Sequence, residues 1–372
     1  MKTRKDQFSF KLCCLTILSI LTTSATNAAI VYDKDGNTVD VSGKLIAKGK
    51  YAFSGDNSHK DAGFAGVNVN GQTKIDDDLT GYGFWEYRAY QNTAAYGQAT
   101  ETRQAFAGVK SKSVGSIDYG RSNGILYDAE SFTDVAPSHS AMTWGGNYND
   151  NFMTSRANSV LTYRSPKSAG PAKGLNYGVQ YQSKNEYGDV KTSNGTGIGI
   201  SLGYDIGNGI SLIGAYSDSN RTHDQKADGL GDKAQAWASG IKYDNTKIYL
   251  ATVYAQTQNT TRTGSSGSAG FAKQTENFEA IAQYKFDSGF RPSLGYVQTR
   301  GKDLAASGTF TGGDADLAKF AEVGVAYFFN PKFKVYADYY FNLLDKDSTY
   351  VRSVGGMNGS ADVLALNASY YF

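Results

Sequence analysis

The stretch Leu364–Phe372 at the C-terminus reads Leu-Ala-Leu-Asn-Ala-Ser-Tyr-Tyr-Phe. One face would carry Leu364, Leu366, Ala368, Tyr370 and Phe372, and the other Ala365, Asn367, Ser369 and Tyr371. A strand presents alternate residues on opposite faces, whereas a helical period of 3.6 would scatter this set. The same alternation recurs in Phe333–Asn342 and Trp237–Tyr243. These stretches predict strands with one apolar face and one polar face.

The composition suits a β-barrel that spans a membrane. The 13% of aromatic residues argues against disorder. The mean hydropathy of −0.44 resembles that of a soluble protein, but a barrel has the same low value because only alternate residues face lipid. From Ala29 to Phe372 no uninterrupted apolar run approaches the roughly 20 residues that a membrane helix needs. A closed barrel is the remaining way to cross a bilayer.

The predicted fold class is therefore all-β, a transmembrane antiparallel β-barrel. A membrane strand takes about 9–11 residues, and with its share of the connections it uses about 21 residues. The 344 residues from Ala29 to Phe372 therefore give about 16 strands. Short turns alternate with long polar segments, as in outer-membrane barrels. The short, periplasmic set is 76–78, 207–209, 244–246 and 330–332, and the long, external set is 185–196, 221–233, 259–275, 302–319 and 345–360. The alternative is a soluble β-sandwich array, which does not need an aromatic C-terminus.

Residues 1–28 have the features of a secretory signal peptide, which leaves 29–372 as the barrel. Four basic residues precede the apolar run Leu12–Leu21, and small residues lead to a cleavage site after Ala28. The run is too short to span a bilayer, so we expect export rather than anchorage. Both cysteines lie in this leader, and the mature chain therefore has no disulfide and no thiol nucleophile.

The basic character of the chain comes from the leader. The whole chain has a formal net charge of +2, the leader contributes +3, and the mature chain therefore carries −1. The sequence pI of 8.2 gives no support to a nucleic-acid partner.

Several blocks of sequence occur in an informative order. They are Ala29–Asn37, Val39-Asp40 and Gly43-Lys44, then Asp78–Gly83 and Trp85–Tyr87, Thr102-Arg103 and Ala105–Gly108, Val114–Ser116 and Asp118–Arg121, and finally Arg291–Ser293 and Phe372. In this order they resemble the general diffusion porins of Gram-negative outer membranes, the trimeric OmpF/OmpC type. The resemblance implies a 16-stranded barrel in the outer membrane. It also implies a water-filled channel for the passive diffusion of ions and small hydrophilic solutes.

The resemblance further implies a pore constriction. In this family the third external loop, here about Asn123–Met153, folds inward and holds acidic residues opposite cations of the barrel wall. The field between them acts strongly on solutes because a narrow pore in a low-dielectric wall screens charge poorly. Matched position by position, the wall cations are Lys44, Arg103 and Arg156, with Arg121 nearby, and the loop acid is Asp134.

Two departures from the family pattern affect this constriction. A wall arginine of the family falls at Gly66, and its Pro-Glu-Phe-Gly-Gly loop segment becomes Pro137–Ala141, which reads Pro-Ser-His-Ser-Ala. The alignment thus predicts the loss of one charge of each sign. Glu130 is a candidate to restore an acid. Each matched residue also has a plainer interpretation, as an ion-paired, solvated or turn-forming side chain.

A substrate-specific porin for sugars or phosphate is the alternative function. Such a channel lines its path with aromatic rings or with an arginine cluster. Candidate lumen-facing tyrosines are Tyr82, Tyr336, Tyr340 and Tyr371.

No catalytic, cofactor-binding or metal-binding residue is predicted, and we do not expect an enzyme. The motif Gly199–Gly203 matches the Gly-x-Ser-x-Gly elbow of hydrolases, but it lies inside an alternating strand rather than at a strand-to-helix turn. The glycines from Gly195 to Gly199 precede no helix, so they favour a small-residue strand over a dinucleotide site. The three histidines, His59, His139 and His223, fall in predicted loops without metal-ligand spacing.

The expected partners follow from the resemblance. They are two further copies of the chain in a homotrimer, the lipids of the outer membrane, and the barrel-insertion machinery, which reads a terminal aromatic such as Phe372. The second loop, Asn92–Glu101, is short and lacks the acidic residue that latches neighbouring subunits in this family. We therefore expect a trimer of low heat resistance.

Overall fold

The computed structural model describes residues 29–53, 58–92, 99–138, 142–144, 151–166, 174–264 and 270–372. The leader, residues 1–28, lies outside the described residues. Within the described part of the chain, no helix is long and apolar enough to span a bilayer.

Strands make up most of the described chain. They are β1 Ala29–Lys34, β2 Asn37–Phe53, β3 His59–Asp61, β4 Phe64–Lys74, β5 Leu79–Tyr90, β6 Thr100–Ser111, β7 Gly115–Asn123, β8 Arg156–Arg164, β9 Leu175–Gln182, β10 Gly197–Gly207, β11 Ile210–Asn220, β12 Lys233–Asp244, β13 Ile248–Gln258, β14 Arg262–Thr263, β15 Gly270–Phe271, β16 Gln274–Tyr284, β17 Phe290–Leu304, β18 Gly313–Asn330, β19 Phe333–Asn342 and β20 Asp362–Tyr371. Three short helices lie in the connections: α1 Tyr127–Glu130, α2 His223–Lys226 and α3 Thr349–Ser353.

The sheet closes into an antiparallel barrel of 16 strands, as predicted. Each wall strand pairs with the next along the chain, and β2 pairs with β20 from Lys44 opposite Tyr371 to Phe53 opposite Asp362. The terminal residue completes this closure, because the Phe372 amide donates to the Gly43 carbonyl at 3.0 Å and the Gly43 amide donates to the Phe372 carbonyl at 2.9 Å. The remaining strands are accessory: β1 is a hairpin on β2, β3 continues into β4, and β14 pairs with β15 in a loop.

The alternation in the sequence matches the two faces of the wall. In β20, Leu366 and Tyr370 are exposed on the outer face, while Asn367 and Ser369 are buried towards the lumen. The same pattern holds in β10, where the outward Ile200 is 53% exposed and the inward Ser201 only 6%. These outward apolar side chains form the surface that meets lipid, because a barrel with a polar lumen has no other place for them.

The predicted turns are confirmed at the short end of the barrel, and one predicted loop is shorter than expected. The segment 302–319 was expected to be a loop, but β17 and β18 extend into it and leave only 305–312 outside strands. The extension is held by register pairs such as Leu304 with Gly313, and by an ion pair of 2.7 Å between Lys302 and Asp314. Beyond the membrane both faces of a strand are wet, so the alternation that marks a strand in the sequence disappears there.

Candidate functional site

The connection between β7 and β8, residues 124–155, is the third loop. Its described part packs on the inward-facing side chains of the wall. Ile125, Leu126, Ala129 and Met153 form a buried cluster with aliphatic wall residues, which are Ala157, Val160, Ile213, Ala215, Ala236, Ala238, Val253 and Ala255. Because the outward neighbours of these wall residues, such as Trp237, are exposed, the loop lies on the lumen side.

Glycines of β9 and β10 make room for the beginning and end of this loop. A Cβ at Gly199 would lie 2.4 Å from Ile125 Cγ2, and a Cβ at Gly178 would lie 2.9 Å from Ile125 Cδ1. At Gly197 a Cβ would meet Met153 Cε at 2.9 Å. Of the glycines that weakly resembled a dinucleotide motif, Gly197 and Gly199 lie in a small-residue strand, as expected, and their role is to seat the third loop.

A glutamate on the wall fastens the far part of the third loop. Glu279 on β16 is 3% exposed and accepts hydrogen bonds from Thr133 Oγ1 at 2.7 Å, Thr143 Oγ1 at 2.5 Å and the Met142 amide at 3.4 Å. Tyr249 Oη also donates to the Phe132 carbonyl at 2.5 Å. The sequence did not single out Glu279, because its partners lie more than 130 residues away along the chain.

Asp128 in α1 provides another attachment. It accepts hydrogen bonds from Arg164 Nη1 at 2.8 Å and from Ser201 Oγ at 2.6 Å. Ser201 is the central residue of the hydrolase-like motif, and it lies inside β10 rather than on a strand-to-helix turn. The Ser201 hydroxyl therefore holds the loop and is not placed as an activated nucleophile.

On the opposite part of the wall, positive side chains are crowded together. Lys44 on β2 lies within electrostatic range of Arg88 and Arg103 and of the carboxylates of Glu86 and Asp134. Arg103 Nε lies 3.0 Å from Glu86 Oε1, and Arg103 Nη1 lies 3.1 Å from Glu101 Oε1. The structure thus brings together two of the predicted wall cations, Lys44 and Arg103, with the predicted loop acid, Asp134.

Asp134 is held by the third loop itself. Tyr127 Oη donates to Asp134 Oδ2 at 2.6 Å. The predicted cation Arg156 begins β8, next to the end of the loop, and it lies within electrostatic range of Glu101 and Glu130. These four charged groups, Lys44, Arg103, Arg156 and Asp134, form the candidate constriction.

Arg121 does not join this group, which corrects the sequence prediction. Its strand neighbours Ile117 and Tyr119 are 43% and 54% exposed on the outer face, and Arg121 follows at the same period of two. It is paired with Ala105 and donates from Nε to the Thr102 carbonyl at 3.1 Å. Strand alternation therefore directs Arg121 away from the lumen.

Glu130 does not restore a lumen acid either. It is 2% exposed and is one of the two buried residues of α1. Burial raises the pKa of Glu130 well above its ordinary value, and the nearby carboxylates of Asp134 and Glu279 raise it further. A carboxyl group in this position favours its neutral form, so it adds little to the field in the pore.

Arg88 is a cation that the sequence comparison missed. It lies directly across the β4–β5 ladder from Gly66, and Gly66 in turn pairs with Lys44. Its guanidinium lies 3.9 Å from the centroid of the Phe64 ring. Only the strand register could have identified it, since nothing in the sequence links Arg88 to Lys44.

The histidines give no metal site in the described part of the chain. There, no group of three His, Cys, Asp or Glu side chains is placed to hold an ion. His139 lies outside the described residues. His59 is in β3 rather than in a loop, with its ring centroid 4.7 Å from that of Tyr51, and His223 begins α2.

Comparison with known proteins identifies the family. A family model described as Gram-negative porin matches residues 34–372. This chain belongs to the Gram-negative porin family. Among related porins, it is 43% identical to outer membrane porin F of Salmonella typhimurium, with 97% of this chain and 99% of that protein covered. It is also 43% identical to outer membrane porin PhoE of Escherichia coli, with 96% and 98% covered.

Solved porin structures agree with the barrel. The Salmonella typhi OmpF structure in complex with daunomycin has a TM-score of 0.85 and 42% identity, and covers 92% of this chain and 100% of that one. An anion-selective porin from Comamonas acidovorans, at 15% identity and a TM-score of 0.66, shares the fold. The protein is thus an outer-membrane porin, a channel for passive diffusion, and the names of its relatives are those of channels rather than enzymes.

Proposed function

We propose that this porin is a general diffusion channel whose constriction selects solutes by charge, with Lys44, Arg103 and Arg156 on one side and Asp134 on the other. The observation that supports the proposal is the position of Asp134, which is held by Tyr127 and lies within electrostatic range of Lys44. Charges of opposite sign on facing surfaces produce a field across the pore. A permeating ion or dipolar solute must orient in that field as it passes.

The field depends on a third loop that stays in place. Glu279 and Tyr249 attach the loop to β13 and β16, while Asp128 attaches it to Arg164 and Ser201. These contacts hold Asp134 at a constant distance from the cations. We infer that the channel needs no catalytic group and no cofactor, since diffusion requires only the path and its charges.

Conductance measurements test this function. Purified protein in planar bilayers should form water-filled channels, and a salt gradient should give a reversal potential that reports the charge of the constriction. A protein that folds in detergent but never raises membrane conductance would contradict the proposal.

The alternative of a sugar-specific channel is less well supported. Tyr340 is 2% exposed, and its ring centroid is 4.0 Å from that of Phe320, so its face is covered. Tyr336 is only 9% exposed, and Tyr82 donates its hydroxyl to Asp118 at 2.7 Å. Sugars added at low concentration should therefore leave the ion current unblocked, whereas a specific porin would show block.

We also propose a homotrimer in outer-membrane lipid, on the basis of the resemblance to trimeric porins. Residues 93–98 of the second loop lie outside the described residues, so the latch remains a prediction from sequence. The trimer should dissociate at a lower temperature in detergent than is usual for its class. An undiminished trimer band after heating would argue against a weak latch.

Export and insertion are proposed from the two ends of the chain. Removal of residues 1–28 would leave Ala29 as the first residue, which N-terminal sequencing of the mature protein can check. The insertion machinery would read Phe372, which also closes the barrel against Gly43. Deletion of Phe372 should lower the amount of protein in the outer membrane, and unchanged surface abundance at high expression would contradict this role.

A further inference from the structure

Three neighbouring strands carry the inference: β2 with Lys44, β4 with Gly66 and β5 with Arg88. These residues are consecutive partners across the two ladders, so they share one face of the wall. Gly66 contributes no side chain to this row. A Cβ added there would meet nothing closer than 3.7 Å, so close packing does not require the glycine. The middle of the row therefore lacks a side chain, and a Cβ there would be in ordinary contact with Lys44 and Phe64.

Arg88 is held beside Gly66 by contacts with Phe64 and Glu86 and by a hydrogen bond with the Tyr90 hydroxyl. Its guanidinium lies 3.9 Å from the centroid of the Phe64 ring, a distance at which the cation and the ring attract each other. Its Nη2 atom lies 3.5 Å from Glu86 Oε1, and the side chain is only 13% exposed. Long arginine side chains lose considerable freedom when ordered, and these contacts restrict Arg88 to one region of the wall.

The carboxylate of Glu86 contacts two arginines, Arg88 and Arg103. Arg103 lies closer to Glu86, at 3.0 Å, and also contacts Glu101 at 3.1 Å. Two guanidinium groups thus share one carboxylate, with the Lys44 ammonium in electrostatic range of all three. Lys44, Arg88 and Arg103 carry three positive charges on this part of the wall against the two carboxylates of Glu86 and Glu101, so positive charge is in excess.

We propose that Arg88 is a selectivity-determining residue of the constriction, which supplies from β5 the positive charge that β4 lacks at Gly66. Lys44, Arg88 and, from β6, Arg103 then face the pore, so the wall keeps its cations while only the loop has lost an acid. Arg88 favours anions in the pore. This inference rests on the proposed function, since it assigns a residue to the same constriction.

The test is the variant Arg88→Gln in planar bilayers under a salt gradient. Removal of one unit charge about 10 Å from an ion in water should lower the permeability for an anion about twofold and raise that for a cation about twofold. The ratio of anion to cation permeability should therefore fall about fourfold at low salt. The shift should fade between 0.1 M and 1 M salt, because the screening length falls from about 10 Å to about 3 Å. Arg88→Lys should keep most of the parent selectivity, since it keeps the charge.

Two further variants make the test specific. Arg300→Gln removes an equal charge from a half-exposed arginine that is ion-paired with Asp314 on neighbouring strand β18, and it should leave the permeability ratio unchanged. The double variant Gly66→Arg/Arg88→Gln moves the cation back to β4 and should restore the parent ratio. All variants should retain the heat-dependent mobility of a folded barrel in detergent.

The outcomes separate this inference from the proposed function. If Arg88→Gln conducts with the permeability ratio of Arg300→Gln, Arg88 does not act on the pore and the inference is wrong. A double variant that fails to restore the ratio would show that positions 66 and 88 are not equivalent, which also overturns it. If the parent protein itself forms no channels, it is the proposed function that fails.

Discussion

Two glycines of the barrel wall, Gly199 and Gly66, have opposite surroundings. At Gly199 a Cβ would lie 2.4 Å from Ile125 of the third loop, whereas at Gly66 a Cβ would meet nothing closer than 3.7 Å. The first belongs to the part of the wall that receives the loop, and the second to the part that faces it with cations. The absence of a side chain thus makes room for a loop in one region, and in the other it leaves a gap in a row of side chains between Lys44 and Arg88.

The rest of each region follows the same division. The loop-bearing part, β10 to β13, directs mainly small side chains inward, with Ile213 and Val253 among them, because the loop already fills that space. The cationic part, β2 to β6, directs long charged side chains inward, where they contact nearby carboxylates and, at Lys48, the Ser138 carbonyl of the third loop. Packing density limits residue choice in the first region, and electrostatics limits it in the second.

The largest expected effect comes from filling the loop-bearing region. Gly199→Val should lower stability by about 1–3 kcal/mol, since the added atoms overlap Ile125 in a closely packed cluster. The measurement is the temperature at which the folded band is lost on heating in detergent. Gly66→Val is the matched control and should leave that temperature nearly unchanged. Equal losses for the two variants would contradict the contrast between the regions.

An intermediate effect is expected from the attachment of the loop. Glu279→Ala removes the acceptor of three hydrogen bonds and should cost about 1 kcal/mol, because the loss of hydrogen bonds is partly offset by no longer burying a carboxylate. The third loop should move more, and open-channel current noise should increase. Glu279→Gln keeps the shape of the side chain and one acceptor oxygen, so its open-channel current noise should be lower than that of Glu279→Ala. If the current noise of Glu279→Ala equals that of the parent channel, other contacts are sufficient to hold the third loop in place.

The smallest free-energy effect, with a diagnostic sign, concerns the two sides of the constriction. Arg103→Ala should shift permeability towards cations and Asp134→Asn towards anions, each about twofold. The two shifts must have opposite signs, because each variant removes one end of the same field, and both should fade at 1 M salt. Reversal potentials measured in a salt gradient give the sign of each shift. Shifts of the same sign would mean that Arg103 and Asp134 do not face each other across the pore.

Strand positions and faces could be predicted from the sequence because their causes are local. A strand exposes alternate residues to alternate faces, so Leu364–Phe372 identified its lipid and lumen sides without any knowledge of its neighbours. The same rule places Arg121 on the outer face with Tyr119. Alternation was here a better guide than the family resemblance, which had suggested that Arg121 lies near the constriction. The turns at 207–209 and 330–332 carry their own signals in Gly, Asn and Pro.

The composition of the constriction was decided by tertiary structure. Register alone places Arg88 opposite Gly66 and beside Lys44, although Arg88 and Lys44 lie 44 positions apart in the chain. The path of the third loop alone buries Glu130 and gives Glu279 its partners. Local patterns specify which face a side chain takes, but the charge that it meets there depends on which distant strand or loop lies opposite. That choice is made when the barrel closes and the loop packs inside it.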